Sequence, residues 1–171
     1  MGAFTGTLLT AVLAWFHVIS AVAWLGGGIM FAVVIGPALV KLSPSSSGEF
    51  LAKVAPKVGR FFQIIAGSTI LFGVLLVYNL GGFELLSLSS FYGVVITIGL
   101  SLGFTAFLTS EFVAVPSLLK VARMIREMQA SGQDQPPAEF PKTLRRATIT
   151  AYLTVLLLIL TSVFMVAAGF Y

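Results

Sequence analysis

One histidine stands in the whole chain, at position 17 of 171, inside the apolar run AWFHVISAVAWLGGG that covers residues 14–28. An ionisable side chain placed within a bilayer is costly, and such residues tend to face a bundle interior, a water-filled cavity or a partner. A neutral imidazole offers one nitrogen lone pair to iron or copper and one N–H to a threonine, a carbonyl or a propionate. It can equally sit hydrogen-bonded to a neighbouring Ser or Thr with no further task, and the residue types leave both roles open. The chain has no cysteine, which excludes disulfides, thiolate metal sites, iron–sulfur clusters and thiol redox chemistry. Glu111, in FLTSEFVAVP, is the second ionisable group inside or at the edge of an apolar stretch. Its simplest role is an ion pair with Arg60, and its alternative is a proton relay. No nucleophilic triad, phosphate-binding loop or paired-carboxylate hydrolase pattern is present.

The elements that must position these groups are membrane helices. Hydrophobic residues make up 58% of the chain and charged residues 9%, with a mean hydropathy of +1.04, outside the balance of a soluble domain. The fold class expected is all-α, a polytopic four-helix transmembrane bundle forming one domain over residues 1–171. Its spans run from about residue 7 to 40, 61 to 80, 91 to 119 and 147 to 171, with connections at 41–60 and 120–146. The N-terminus lacks a basic segment ahead of its apolar run, so it reads as a retained first span. That span exceeds the roughly 20 residues needed to cross, which predicts a tilt or a kink near Gly26–Gly28, with Pro37 ending or bending it.

All ten Lys and Arg residues fall in the two connections and at their edges, and none lies at the N-terminus or in GGFELLSLSS. The positive-inside rule therefore predicts an integral cytoplasmic-membrane protein with both termini outside. The net charge of +4 needs no nucleic acid to explain it. The partners expected are the lipid bilayer and a second copy or a larger membrane complex. In the first connection, SPSSSGEFLAKVAPKVGRFF predicts a short interfacial helix leading into the second span. In the second, the third span continues as a charged extension and gives way to a polar, Pro-rich linker over residues 131–141.

Spacing also predicts which faces meet. His17 shares a helical face with Thr10, Ser20, Trp24 and Gly27, and this face should turn inward. Gly99 and Gly103 form a GxxxG pair, with Thr97, Ser101 and Thr105 on a nearby stripe, so the third span should approach a neighbour closely. Thr150, Thr154, Thr161 and Met165 share a stripe on the fourth span, where packing is the default role.

The frame His17, six residues, Trp24, one residue, Gly26-Gly27, followed by IMFAVVIGPAL, resembles the first helix of the CopD-like copper-resistance membrane family. Arg60 in GRFFQIIAGSTILFGVLLV resembles the start of that family's second helix. A similar His-to-Trp spacing occurs in HemJ-type protoporphyrinogen oxidases, four-helix proteins whose first-helix histidine is implicated in haem binding. The resemblance implies a small haem b-binding redox protein or cytochrome-like subunit, with His17 as an axial ligand to haem iron or, in the alternative, a ligand to copper. Trp24 and Ser20, with Phe16 and Phe31, would line such a site. At about 1.5 Å per residue His17 lies ~15 Å deep and Met165 ~9 Å deep, so His/Met ligation in one chain, a histidine from each of two protomers, and a five-coordinate haem all stay open. The other function class is a cofactor-free accessory subunit or a CopD-like copper-handling component.

Overall fold

The computed structural model describes residues 8–132 and 135–170. Its helices are α1 (Leu8–Ile29), α2 (Gly36–Val40), α3 (Pro44–Leu80), α4 (Phe91–Thr109), α5 (Val115–Ser131) and α6 (Phe140–Ala168). A π-helical turn, Met30–Ile35, joins α1 to α2, and a second, Ser110–Ala114, joins α4 to α5. These make four stretches long and apolar enough to cross a membrane, Leu8–Leu39, Ser45–Leu80, Phe91–Ser131 and Phe140–Ala168. The chain is an all-α four-helix membrane bundle. Its outer surface is apolar, with Leu8, Trp15, Val22, Val33, Phe112 and Val163 exposed, as lipid contact requires.

The spans pack as two antiparallel pairs. Along α1 and α3, Thr10 meets Asn79, Phe16 stacks on Phe72, His17 lies over Gly73, and Gly27 lies against Phe61 and Phe62. Along α4 and α6, Gly99 lies against Met165 and Phe164, and Gly103 against Thr161. A Cβ at Gly99 would stand 3.0 Å from the Met165 methyl, and one at Gly103 would stand 3.3 Å from Thr161 Cγ2. The GxxxG face therefore does pack within the bundle, against the fourth span. The two pairs join where Trp24, Ala66, Ala106 and Leu158 meet, one residue from each span. Ala66 and Ala106 are fully buried because only a methyl fits beside the indole, which is itself 2% exposed.

Both π turns have the same cause. Pro37 and Pro116 lack the N–H that would continue the α-helical ladder, and their rings crowd the carbonyls four residues back. The turn ahead of each widens, so that Gly36 N–H donates to Phe31 O and Val115 N–H to Ser110 O, five residues back in each case. The irregularity of the first span is thus here and not at Gly26–Gly28, through which α1 stays α-helical. Gly27 and Gly28 serve close packing instead, Gly28 against Val155.

The connections are shorter than the sequence predicts. In place of an interfacial helix and a separate span, α3 is one helix of 37 residues that runs through Pro56, capped at its start by Ser43 accepting from Ser46 N–H. Span four begins at Phe140, seven residues before the apolar run that marks it in the sequence. Gly132, in the left-handed conformation, ends α5. Thr7 and Tyr171, the outermost residues assigned to the first and fourth spans, lie outside the described residues. Lys and Arg all gather at one end of the bundle, and the opposite end carries the starts and finishes of the first and last spans.

Candidate functional site

His17 sits on the inward stripe of α1 with Leu13, Ser20 and Trp24, at helical steps of four, three and four. The ring is half-buried, whereas Leu13, Ser20 and Trp24 are buried. Its Nδ1 is 2.9 Å from the carbonyl oxygen of Thr69 on α3. A carbonyl only accepts, so Nδ1 carries a proton and donates, which in the neutral tautomer places the lone pair on Nε2. The close approach depends on Gly73, where a Cβ would stand 2.9 Å from His17 Cε1 and 3.0 Å from Nδ1. Thr69 directs its own hydroxyl back to Ile65 O, leaving its carbonyl for the imidazole. Toward the end holding the termini, Asn79 donates to Thr10 Oγ1 at 2.7 Å, a second polar link in the same helix groove.

Met165 is placed in the other pair. Its methyl and sulfur lie over Gly99 on α4, while His17 lies over Gly73 on α3. Trp24 closes the space at the junction of the two pairs, with Ser20 buried one turn away. The hydroxyls of Thr150, Thr154 and Thr161 donate to the carbonyls of Arg146, Thr150 and Leu157, so that stripe satisfies itself along α6. Ser101 and Thr105 do the same along α4, and Thr97 Oγ1 is buried with no partner.

The expected ion pair between Glu111 and Arg60 does not form. Among the described residues the ion pairs are Lys53–Glu49, Lys120–Glu139 and Arg123–Glu127. Glu111 lies in the second π turn, where Gln63 of α3 is directed at its carboxyl group and Oε1 is buried without a partner. Arg60, three residues before Gln63 and so nearly a turn closer to the basic end of α3, is exposed and forms no ion pair among the described residues.

A cavity of about 880 Å³ opens in the basic half of the bundle, a feature the sequence did not announce. Its floor is Trp24, Phe62 and Leu158. Gly28, Ala32 and Gly36 form one wall, and Ala147, Ala151 and Val155 of α6 face them. Ser45, Ser47 and Gln129 stand at the mouth, toward the basic end. Both π turns contribute, through Phe31 and Ala32 in the first and Ser110 and Ala114 in the second. The signal for this space is a run of small residues on two spans, which in a membrane helix ordinarily means close packing.

Haem b tests differently at the two places. The imidazole fits a metal ligand, because a ligating histidine characteristically donates its other ring N–H to a carbonyl or carboxylate, as Nδ1 does here. The His17 and Met165 pair does not fit one haem within a chain, since the two side chains lie in different helix grooves and neither lines the large cavity. No cluster of three or more His, Asp or Glu capable of holding a metal exists among the described residues.

Comparison with protein-family models, with curated proteins and with solved structures finds no match for this chain.

Proposed function

We propose that this chain is a ligand-binding membrane protein of the accessory-subunit class, embedded in the cytoplasmic membrane with its basic end inside, and that the cavity ending at Trp24 is its binding site. One observation carries this: a half-enclosed space of about 880 Å³, within the range of small-molecule sites, among helices that elsewhere pack glycine against side chain. The inner wall is largely apolar, and two of its hydroxyls are engaged, Thr154 with Thr150 O and Tyr152 with Ala32 O at 3.0 Å, while Ser110 also lines it. The occupant is therefore held by shape and apolar contact, and reaches the site through the basic end or from the surrounding leaflet.

The experiment uses Trp24 as the reporter. With Trp15, which faces outward, replaced by Phe, Trp24 is the sole tryptophan. In lipid nanodiscs a brominated alkane should quench it saturably, and Ala151→Phe, which fills the cavity, should remove the saturable part. Quenching that only tracks the mole fraction of probe and ignores Ala151→Phe would overturn the proposal.

A second proposal keeps one observation of its own, the Nδ1 hydrogen bond that leaves Nε2 of His17 available. It is a haem b-binding redox protein, in line with the likeness of the His17–Trp24–Gly26–Gly27 frame to CopD-like and HemJ-type proteins. The iron would be five-coordinate or shared with a second copy across the outer face of α1 and α3. Protein made with ample haem should then show a Soret band that His17→Ala abolishes, and absence of any such band sinks this reading.

A further inference from the structure

The cavity carries Ser45, Ser47 and Gln129 at its mouth and lies close to cations that form no ion pair among the described residues, and resting on the binding role proposed above we infer that its occupant is a long-chain anionic amphiphile. The tail would run down to Trp24, and a carboxylate or phosphate head would stay at the basic end. Three features of the molecule support this class.

The first is shape. Along α6 the lining runs from Phe140 to Leu158, which at 1.5 Å per residue is about 27 Å. Spread over that length, about 880 Å³ corresponds to a mean cross-section of about 33 Å², which accommodates one or two extended alkyl chains.

The second is the gradient of polarity. The deep end is Trp24, Phe62 and Leu158, whereas Ser45, Ser47 and Gln129 collect at the mouth. An amphiphile matches this gradient in one orientation only.

The third is charge. Lys142 and Arg145 flank the mouth residues Phe140 and Leu144, and Lys41 follows Leu39 by two positions. None of the three takes part in an ion pair among the described residues, while Glu49, Glu127 and Glu139 are each engaged by another cation. These cations at the basic end, unpaired among the described residues, bias the mouth toward an anionic head and against a cationic one.

The test compares three probes of one chain length on the Trp15→Phe protein in nanodiscs of neutral lipid: 9,10-dibromostearate, the matching alcohol and the matching trimethylammonium. The carboxylate should quench Trp24 saturably, with an apparent affinity on the order of tenfold or more above that of the alcohol, and the cation should bind weakest. Replacing Lys142 and Arg145 together by Gln should erase the preference for the carboxylate while leaving the alcohol's affinity unchanged, which separates loss of charge from loss of fold. Equal saturable binding of all three probes would refute the anionic class and leave a cavity that binds apolar chains. Saturable binding by none of them would remove the binding role together with the inference built on it.

Discussion

Gly73→Ala is the smallest change that tests the seat of His17. The added methyl would lie 2.9 Å from His17 Cε1 and 3.0 Å from Nδ1, closer than packed carbon and nitrogen atoms tolerate, so the ring must move away from Thr69 O. Crowding of this kind costs about 1–3 kcal/mol. Stranding the Nδ1–H adds ~1 kcal/mol or more, the Thr69 carbonyl keeping its helical partner. Against this, alanine is favoured over glycine in a helix by about 1 kcal/mol. The net expectation is a loss of about 1–3 kcal/mol, seen as a lower unfolding temperature in detergent followed by tryptophan fluorescence. In a His17→Ala background the ring is gone, and the same substitution should stabilise by up to ~1 kcal/mol. The sign reversal is the point, since it isolates a coupling of about 2–4 kcal/mol between positions 56 residues apart in sequence. If Gly73→Ala stabilises both backgrounds equally, His17 does not sit over Gly73 and the ligand geometry derived from that seat fails with it.

Replacing Gly99 and Gly103 with Leu should cost about 2–6 kcal/mol together and separate α4 from α6, read as loss of a compact species on size exclusion in detergent. Pro116→Ala restores an amide that can donate to Phe112 O, so the Ser110–Ala114 turn should close to α-helix and the protein should gain about 1–3 kcal/mol, with slower amide exchange over residues 110–116. A drop in stability would show that packing around Glu111, and not the proline, holds the turn open. A single cysteine at Ser89 in this cysteine-free chain should react with an impermeant maleimide added outside intact cells, and reaction only after permeabilisation would reverse the orientation.

What could be seen in the sequence was whatever a side-chain type announces by its spacing. The apolar runs marked the four spans, the steps from Thr10 through His17 to Ser20 and Trp24 marked the inward face of α1, and Gly99 with Gly103 marked a close contact with a neighbouring helix, which is the fourth span. The partner of His17 was hidden because it is a backbone carbonyl, which every residue carries, and because the glycine that admits the ring looks like any other glycine in an apolar helix. The Glu111–Arg60 pairing looked sound from approximate depth, but Gln63, nearly a turn deeper on α3 than Arg60, is the residue directed at the carboxyl. The cavity was hidden for a further reason: it is formed by what Ala32, Ala147 and Ala151 lack, and missing volume can mean either a space, as here, or a tight contact, as at Gly28.

The π turn at Met30–Ile35 has a consequence for the angular alignment of the first span. In an α-helix of 3.6 residues per turn, a step of four residues overshoots one revolution by about 40°, so residues four apart wind steadily around the axis. Trp24, Gly28, Ala32 and Gly36 are spaced by four, and an unbroken helix would carry the last of them about 120° from the first. The π turn takes up one more residue than an α turn and swings the series back, which brings Gly36 onto the same wall as Gly28 and Ala32. Ser110, Ala114 and Leu118 are realigned in the same manner across the second such turn. The two prolines thus act as angular correctors: a chain one residue shorter across Met30–Ile35 would bring Gly36 to the same wall through an unbroken α-helix, so the extra residue and the proline that accommodates it belong together.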